Sequence, residues 1–281
     1  MRVLVNGVRL FVDVEGAKSV PDGRSMREKP TVVLLHGGPG FDHSSFKPEF
    51  SQLADTAQLV YFDHRGNGRS DRDDPKSWNL DAWADDVKGL CDALEIEQPI
   101  VLGWSFGASV AIKYAARHPG HPAKLILQSP TARMDVERIV AAFETIGGGE
   151  PATAARAFWT NPNDETMAGY VQHCIPLYSS EPLDARMGRS VLNIELLKGF
   201  EGQMEMDLRE ELGQVRIPVL VLAGRIDPIM PLSAAEEVVE ALSGADVTLE
   251  VFDHSSHFIH FSEPEWFFSV VRSFVEGPEA D

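Results

Sequence analysis

A chain of 281 residues, 43% hydrophobic and 24% charged, has the length and apolar content of one mid-sized globular unit, with room for a large insertion. That composition excludes a disordered chain. Its 43 acidic residues against 25 basic ones leave a formal charge of −18, which excludes nucleic acid and anionic membrane surfaces as principal partners because phosphate contacts would be repulsive.

Two alternating segments open the chain, 3–5 and 8–14, joined at Asn6-Gly7, a dipeptide suited to a tight hairpin turn. The polar stretch around Pro21, Asp22 and Gly23 is expected to be a loop. Thr31-Val32-Val33-Leu34-Leu35 then runs almost without polar interruption, as strands buried on both faces of a parallel sheet do, and stops at His36-Gly37-Gly38-Pro39-Gly40. Strands at 59–62, 100–102 and 125–127 alternate with helices at 80–94 and 107–118. The alternation resumes with strands at 219–222 and 247–252 and helices at 234–242 and 264–275. This order predicts an α/β fold: a mostly parallel sheet covered by helices on both sides, with the opening hairpin as an antiparallel edge.

Between residues 132 and 216 the periodicity is helical and no strand is evident. Helices are expected over 136–146, 152–159, 165–177 and 185–211, the last broken at Gly199 or Gly202. A helical insert in such a pattern is read as a cap over the functional edge of the sheet. Residues 1–131 and 217–281 then form the core, and 132–216 the helical cap.

Gly103-Trp104-Ser105-Phe106-Gly107 directly follows a buried strand and precedes an Ala- and Ile-rich helix. In that setting a serine is held on a strained turn with its hydroxyl exposed. A serine hydroxyl needs a base to become a nucleophile. His257 fits, in a loop after the last strand and before the C-terminal helix; His254 is its rival in the same loop. Asp227 ends another strand-following loop and is expected to orient the base and stabilise its cation. The strand after the nucleophile helix ends Gln128-Ser129-Pro130, without a carboxylate, which leaves that role to Asp227. The backbone N–H groups of Phe106 and Gly38 are placed to serve an oxyanion hole, whereas Pro39 has no N–H to give. Asp63 to Ser70 forms a charged, glycine-rich loop expected to hold neighbouring turns in place.

The His36–Gly40 loop, Asp63-x-Arg65-Gly66-x-Gly68-Arg69-Ser70, the serine elbow, Gly224-Arg225-x-Asp227 and the His257 loop together resemble the α/β-hydrolase superfamily, nearest to the branch of proline iminopeptidases and related esterases. The chain order Ser, Asp, His is the one that fold carries. The resemblance covers residues 1–130 and 217–281, not the insert. It implies a serine hydrolase that cleaves a carboxylic ester, lactone or amide through an acyl-serine intermediate.

The elbow departs from the Gly-Gly-Ser-Trp-Gly form of proline iminopeptidases and is closer to esterases. Those peptidases also bind a free amino group through cap carboxylates, for which Glu144, Glu150, Glu195, Glu201 and Glu205 are candidates. A proline iminopeptidase-like aminopeptidase is therefore the alternative, and a non-catalytic binding protein on the same scaffold a more remote one. The insert holds Met134, Met167, Met187, Met204 and Met206 with Phe143, Phe158, Trp159, Tyr170 and Tyr178. These form either a substrate pocket, with Trp104, Phe143, Trp159 and Tyr178 on its wall, or the core of the cap itself.

The partner expected is a small-molecule substrate, with no cofactor and no metal, since no ligand-spaced cluster of His or carboxylates occurs. No run approaches the ~20 apolar residues of a membrane span and no signal peptide is visible, which points to a cytoplasmic protein. Cys91 and Cys174, far apart and in no metal-like spacing, are then expected to be two buried thiols rather than a disulfide.

Overall fold

The computed structural model describes residues 1–180 and 188–277. Ten strands occur among them: β1 Arg2–Val5, β2 Val8–Glu15, β3 Ser19–Asp22, β4 Ser25–Glu28, β5 Thr31–Leu35, β6 Gln58–Phe62, β7 Ile100–Trp104, β8 Lys124–Gln128, β9 Val219–Gly224 and β10 Val247–Phe252. Eight build one sheet in the order β1-β2-β6-β5-β7-β8-β9-β10. β1 pairs with β2 and β2 with β6 antiparallel, and every later pairing is parallel. The Asn6-Gly7 turn, both residues at positive φ, closes the edge hairpin as expected.

The near-continuous apolar strands are explained by what covers them. In β5 all five residues are buried, Val33 and Leu35 into one core and Val32 and Leu34 into the other. The first core lies under helices α1 (Leu80–Ala93) and α2 (Phe106–Arg117), with Trp83 and Tyr114 wholly enclosed. The second packs Phe46, Phe50, Phe267 and Phe268 against the opposite face, beneath the C-terminal helix Pro264–Glu276.

Three expectations are corrected. The presumed loop around Pro21 is a two-stranded hairpin, β3 with β4, whose exposed β4 carries no apolar alternation by which it could be recognised. The helix expected over 165–177 divides: α5 spans Asp164–His173, and a 3₁₀ turn, Ile175–Tyr178, follows because Pro176 cannot continue the α-helical bonding. The long helix over 185–211 does not form. Its first three residues lie outside the described ones, and the rest holds only the single turns Ile194–Leu197 and Arg209–Leu212. Between those turns Gly199 and Gly202 both take positive φ, which ends a helix rather than bending one.

Helices α3 (Val136–Gly147) and α4 (Gly149–Thr160) do form, and with α5 they enclose their own small core around Phe143, Ala155 and Cys174. Cys91 and Cys174 are both buried free thiols. No helix among the described residues is long and apolar enough to cross a membrane.

Candidate active site

Strand β7 delivers Ser105 onto the turn into α2 with φ 55° and ψ −118°, a sparsely populated conformation for a non-glycine residue. The flanking glycines make the turn possible. A Cβ on Gly103 would stand 2.3 Å from the Gly107 carbonyl oxygen, and one on Gly107 2.1 Å from that of Leu35. The Ser105 N–H donates to the Gln128 carbonyl of β8 at 2.9 Å, which ties the elbow to the sheet.

His257 and Asp227 arrive from the loops after β10 and β9. The imidazole Nδ1 lies 2.8 Å from Asp227 Oδ2, and both side chains are buried. The other carboxylate oxygen accepts the N–H groups of Ile229 and Met230, each at 2.9 Å. The His257 carbonyl accepts from the Trp104 indole and the Ser129 hydroxyl, both at 3.3 Å, so the loop is held independently of the ring. His254 is exposed, and its N–H is bonded to Glu263.

Ser105 and His257 face one cavity of about 360 Å³ between the sheet edge and the insert. Gly38 and Phe106 line it as well. Phe106 is the first residue of α2, so its N–H has no carbonyl within the helix to bond. The glycine loop is fastened from behind. His36 Nδ1 lies 2.7 Å from the Gly37 carbonyl, its Nε2 accepts the His64 N–H at 3.1 Å, and the Gly40 N–H donates to Asn67 at 2.6 Å.

The expected pocket residues Trp104, Trp159 and Tyr178 all line the cavity. Phe143 does not: it is fully buried in the core of the insert, where its ring meets Tyr170 and Tyr178 from behind. The aromatic and methionine content of the insert thus serves both ends, because Met134, Met167 and Met206 also reach the cavity while Met204 is exposed; Met187 lies outside the described residues. Leu192, Phe200, Ile229, Met230 and Phe258 line the cavity without having been singled out in the sequence. Ile229 and Met230 could have been found from their place in the Asp227 loop, and Phe258 from its place beside His257. Leu192 and Phe200 stand in irregular chain with no period to betray them.

Among the described residues no aspartate or glutamate lines the cavity, and Lys198, paired with Asp164 at 2.6 Å, is its only lysine or arginine. Glu144, Glu150, Glu195, Glu201 and Glu205 are exposed and lie off its wall. The charged loop after β6 is bonded throughout to its neighbours: Asp63 receives the His43 ring at 2.6 Å and the Arg69 N–H at 2.7 Å, and Arg65 grips Asp86 at 2.6 and 2.7 Å.

A serine on a strained elbow that shares a cavity with a carboxylate-paired histidine, at the carboxyl edge of a mostly parallel sheet, defines the class of α/β hydrolases. The chain belongs to that family: residues 30–264 match the family described as alpha/beta hydrolase fold, and the chain is a hydrolase enzyme. It is 29% identical over 280 residues to RutD of a Caulobacter species, whose name designates a carbamate hydrolase, covering 95% of this chain and 98% of that one. It is 26% identical over 282 residues to the proline iminopeptidase PfmaB of Pestalotiopsis fici, covering 95% and 99%. The solved structure of VinJ superposes with a TM-score of 0.79 at 23% identity, over 98% of this chain and 97% of that one, a likeness of fold alone.

Proposed function

We propose that this hydrolase cleaves carboxylic esters or lactones through an acyl-serine intermediate, with Ser105 as nucleophile, His257 as general base and Asp227 as the carboxylate that orients it. The observation that carries the reading is the 2.8 Å His257–Asp227 pair standing with the Ser105 elbow at one cavity. In this scheme His257 Nε2 takes the serine proton as the hydroxyl oxygen attacks the carbonyl carbon. The backbone N–H groups of Gly38 and Phe106 receive the oxyanion of the tetrahedral intermediate. Collapse expels the alcohol, which takes the proton from His257, and water repeats the sequence on the acyl-serine. Residues 132–216 act as the cap that closes the chamber over the acyl group.

The preference for esters or lactones over aminoacyl substrates is supported by the lining. An ammonium group loses its hydration on entering an apolar chamber and needs a placed carboxylate to offset that loss. The described wall offers none. A fluorophosphonate should attach to Ser105, and Ser105→Ala should abolish both labelling and turnover. On one preparation, kcat/KM for medium-chain esters should exceed that for proline p-nitroanilide. A tenfold advantage for the proline substrate would establish the aminopeptidase instead.

A further inference from the structure

The hydroxyls of Tyr170 and Tyr178 lie 2.6 Å apart, and both residues line the cavity. Two phenols hydrogen-bonded to each other use one proton between them, and the second must find another acceptor. Burial pushes both phenols well above their ordinary range, so both protons stay in place. The surrounding wall gives the spare proton little to bond. Phe158, Met167, Ile175, Ile229 and Met230 pack with the pair and offer no side-chain acceptor stronger than a thioether. The Trp159 indole beside Tyr170 can only donate, and the oxygens of the nearby Asp227 carboxylate already bond His257 and two backbone N–H groups. The pair also stands next to the chemistry, because the Tyr178 ring meets the His257 ring edge-on at 5.1 Å. Its position is fixed from the His257 loop, where the Phe258 N–H donates to the Tyr178 carbonyl at 3.3 Å and the Ser256 hydroxyl to that of Leu177 at 2.7 Å.

We propose that the Tyr170–Tyr178 pair is a specificity device: it presents one O–H to the substrate and selects esters or lactones that carry a second, acceptor oxygen besides the scissile group. In the open cavity water can satisfy that proton. A wholly apolar substrate displaces the water and leaves the donor unpaired in an apolar chamber, whereas a substrate with an ether, carbonyl or hydroxyl oxygen replaces the lost bond. The inference rests on the ester reading above and deepens it.

The test is an oxygen scan. Butyl hexanoate is compared with analogues in which one methylene of either chain is replaced by oxygen, with acid release followed by pH-stat and each rate normalised to alkaline hydrolysis. At least one analogue should exceed the parent by about 10- to 100-fold in kcat/KM, mostly through KM. Each single variant, Tyr170→Phe or Tyr178→Phe, leaves one phenol whose own proton is unpaired, and should keep a preference for an oxygen-bearing analogue. The double variant should bring it to unity, whereas a packing role would lower every ester by the same factor and leave the ratio intact. Absence of any preferred analogue, or a ratio that survives the double variant, overturns the proposal; should the double Phe variant not fold, Tyr170→Leu combined with Tyr178→Leu is read in its place by the same criterion. If no ester is cleaved although Ser105 takes the fluorophosphonate, the ester reading has failed. The donor is then judged by methyl ketones of the same chains as protectors of Ser105, where equal protection with and without the added oxygen overturns it.

Discussion

Replacing Asp227 by Asn tests the proposed machinery at its most constrained atom. Asp227 Oδ1 accepts two backbone N–H groups at 2.9 Å, so in the variant the amide oxygen must occupy that site. The amide nitrogen then faces His257 Nδ1, 2.8 Å away in the wild type, and donates to it. The imidazole is left with its proton on Nε2, the atom that should accept from Ser105. Flipping the amide to restore the correct tautomer would set its NH₂ against two buried N–H groups, at about 1–3 kcal/mol each. That is sufficient to hold the wrong tautomer in all but a small fraction of molecules. Turnover should fall by about 10⁴, close to 5.4 kcal/mol of barrier. The fold should change little, because both N–H bonds survive and the His257 backbone is held separately by Trp104 and Ser129. The assay is kcat on p-nitrophenyl butyrate, with thermal unfolding measured alongside. A loss of less than tenfold in a folded variant would mean that Asp227 does not set the tautomer, and the proposed triad would fall.

Two further outcomes are expected. His257→Ala should lose several orders of magnitude in kcat, while exposed His254→Ala should retain most activity; the reverse ranking would transfer the role of base to His254. The second concerns acid stability. His64 is fully buried, has no hydrogen-bond partner at either ring nitrogen among the described residues, and packs among Phe62, Phe106 and His36; burial first, then the neighbouring imidazole, holds its pKa well below the usual value. A histidine depressed in the folded state contributes stability that is complete above the unfolded value of ~6.5 and is lost as pH falls from there toward the folded value, at up to about 1.4 kcal/mol per pH unit. His64→Met should therefore flatten the decline in melting temperature between pH 7 and 5, leaving the part due to His36, which burial also depresses. Equal slopes for variant and wild type would refute the assignment.

The mostly parallel character of the sheet was legible because β5, β7, β8 and β9 are buried on both faces and therefore spell unbroken apolar runs. The placement of Ser105 and Asp227 at the carboxyl edge was legible for a related reason, since both follow the buried strands β7 and β9, whereas His257 follows the mostly half-buried edge strand β10 and was read from its place between that strand and the C-terminal helix. Phe143 was misread because composition records that an aromatic is present in the insert but not which way its helix face turns. Phe143 sits one turn beyond Ile139 and Val140, on the stripe that α3 packs inward, and that stripe supplies the insert's core rather than the cavity wall.

The misread segment after residue 187 fails for a different reason, which also explains the charged loop after β6. From Ser190 to Phe200 the chain has one helical turn, yet it builds one wall of the cavity through Leu192, Leu197 and Phe200. Its shape comes from bonds to the sheet half. The Val191 N–H donates to Asp42 at 2.8 Å, Arg72 to the Leu192 carbonyl at 2.8 Å, and Asn193 to the Gly66 carbonyl at 2.7 Å. The Asn193 N–H completes the set with the Gly40 carbonyl at 2.9 Å. Such conformation has no periodicity to read, because its hydrogen-bond partners lie more than a hundred residues away in sequence. The loop of Asp63 to Ser70 is therefore structural in a particular sense: with Asp42 and Gly40 it couples the glycine loop behind Gly38 to the strap that shapes the substrate chamber. A change at Asn193 should in consequence act on substrate selection through the wall it holds, although its own side chain does not line the cavity.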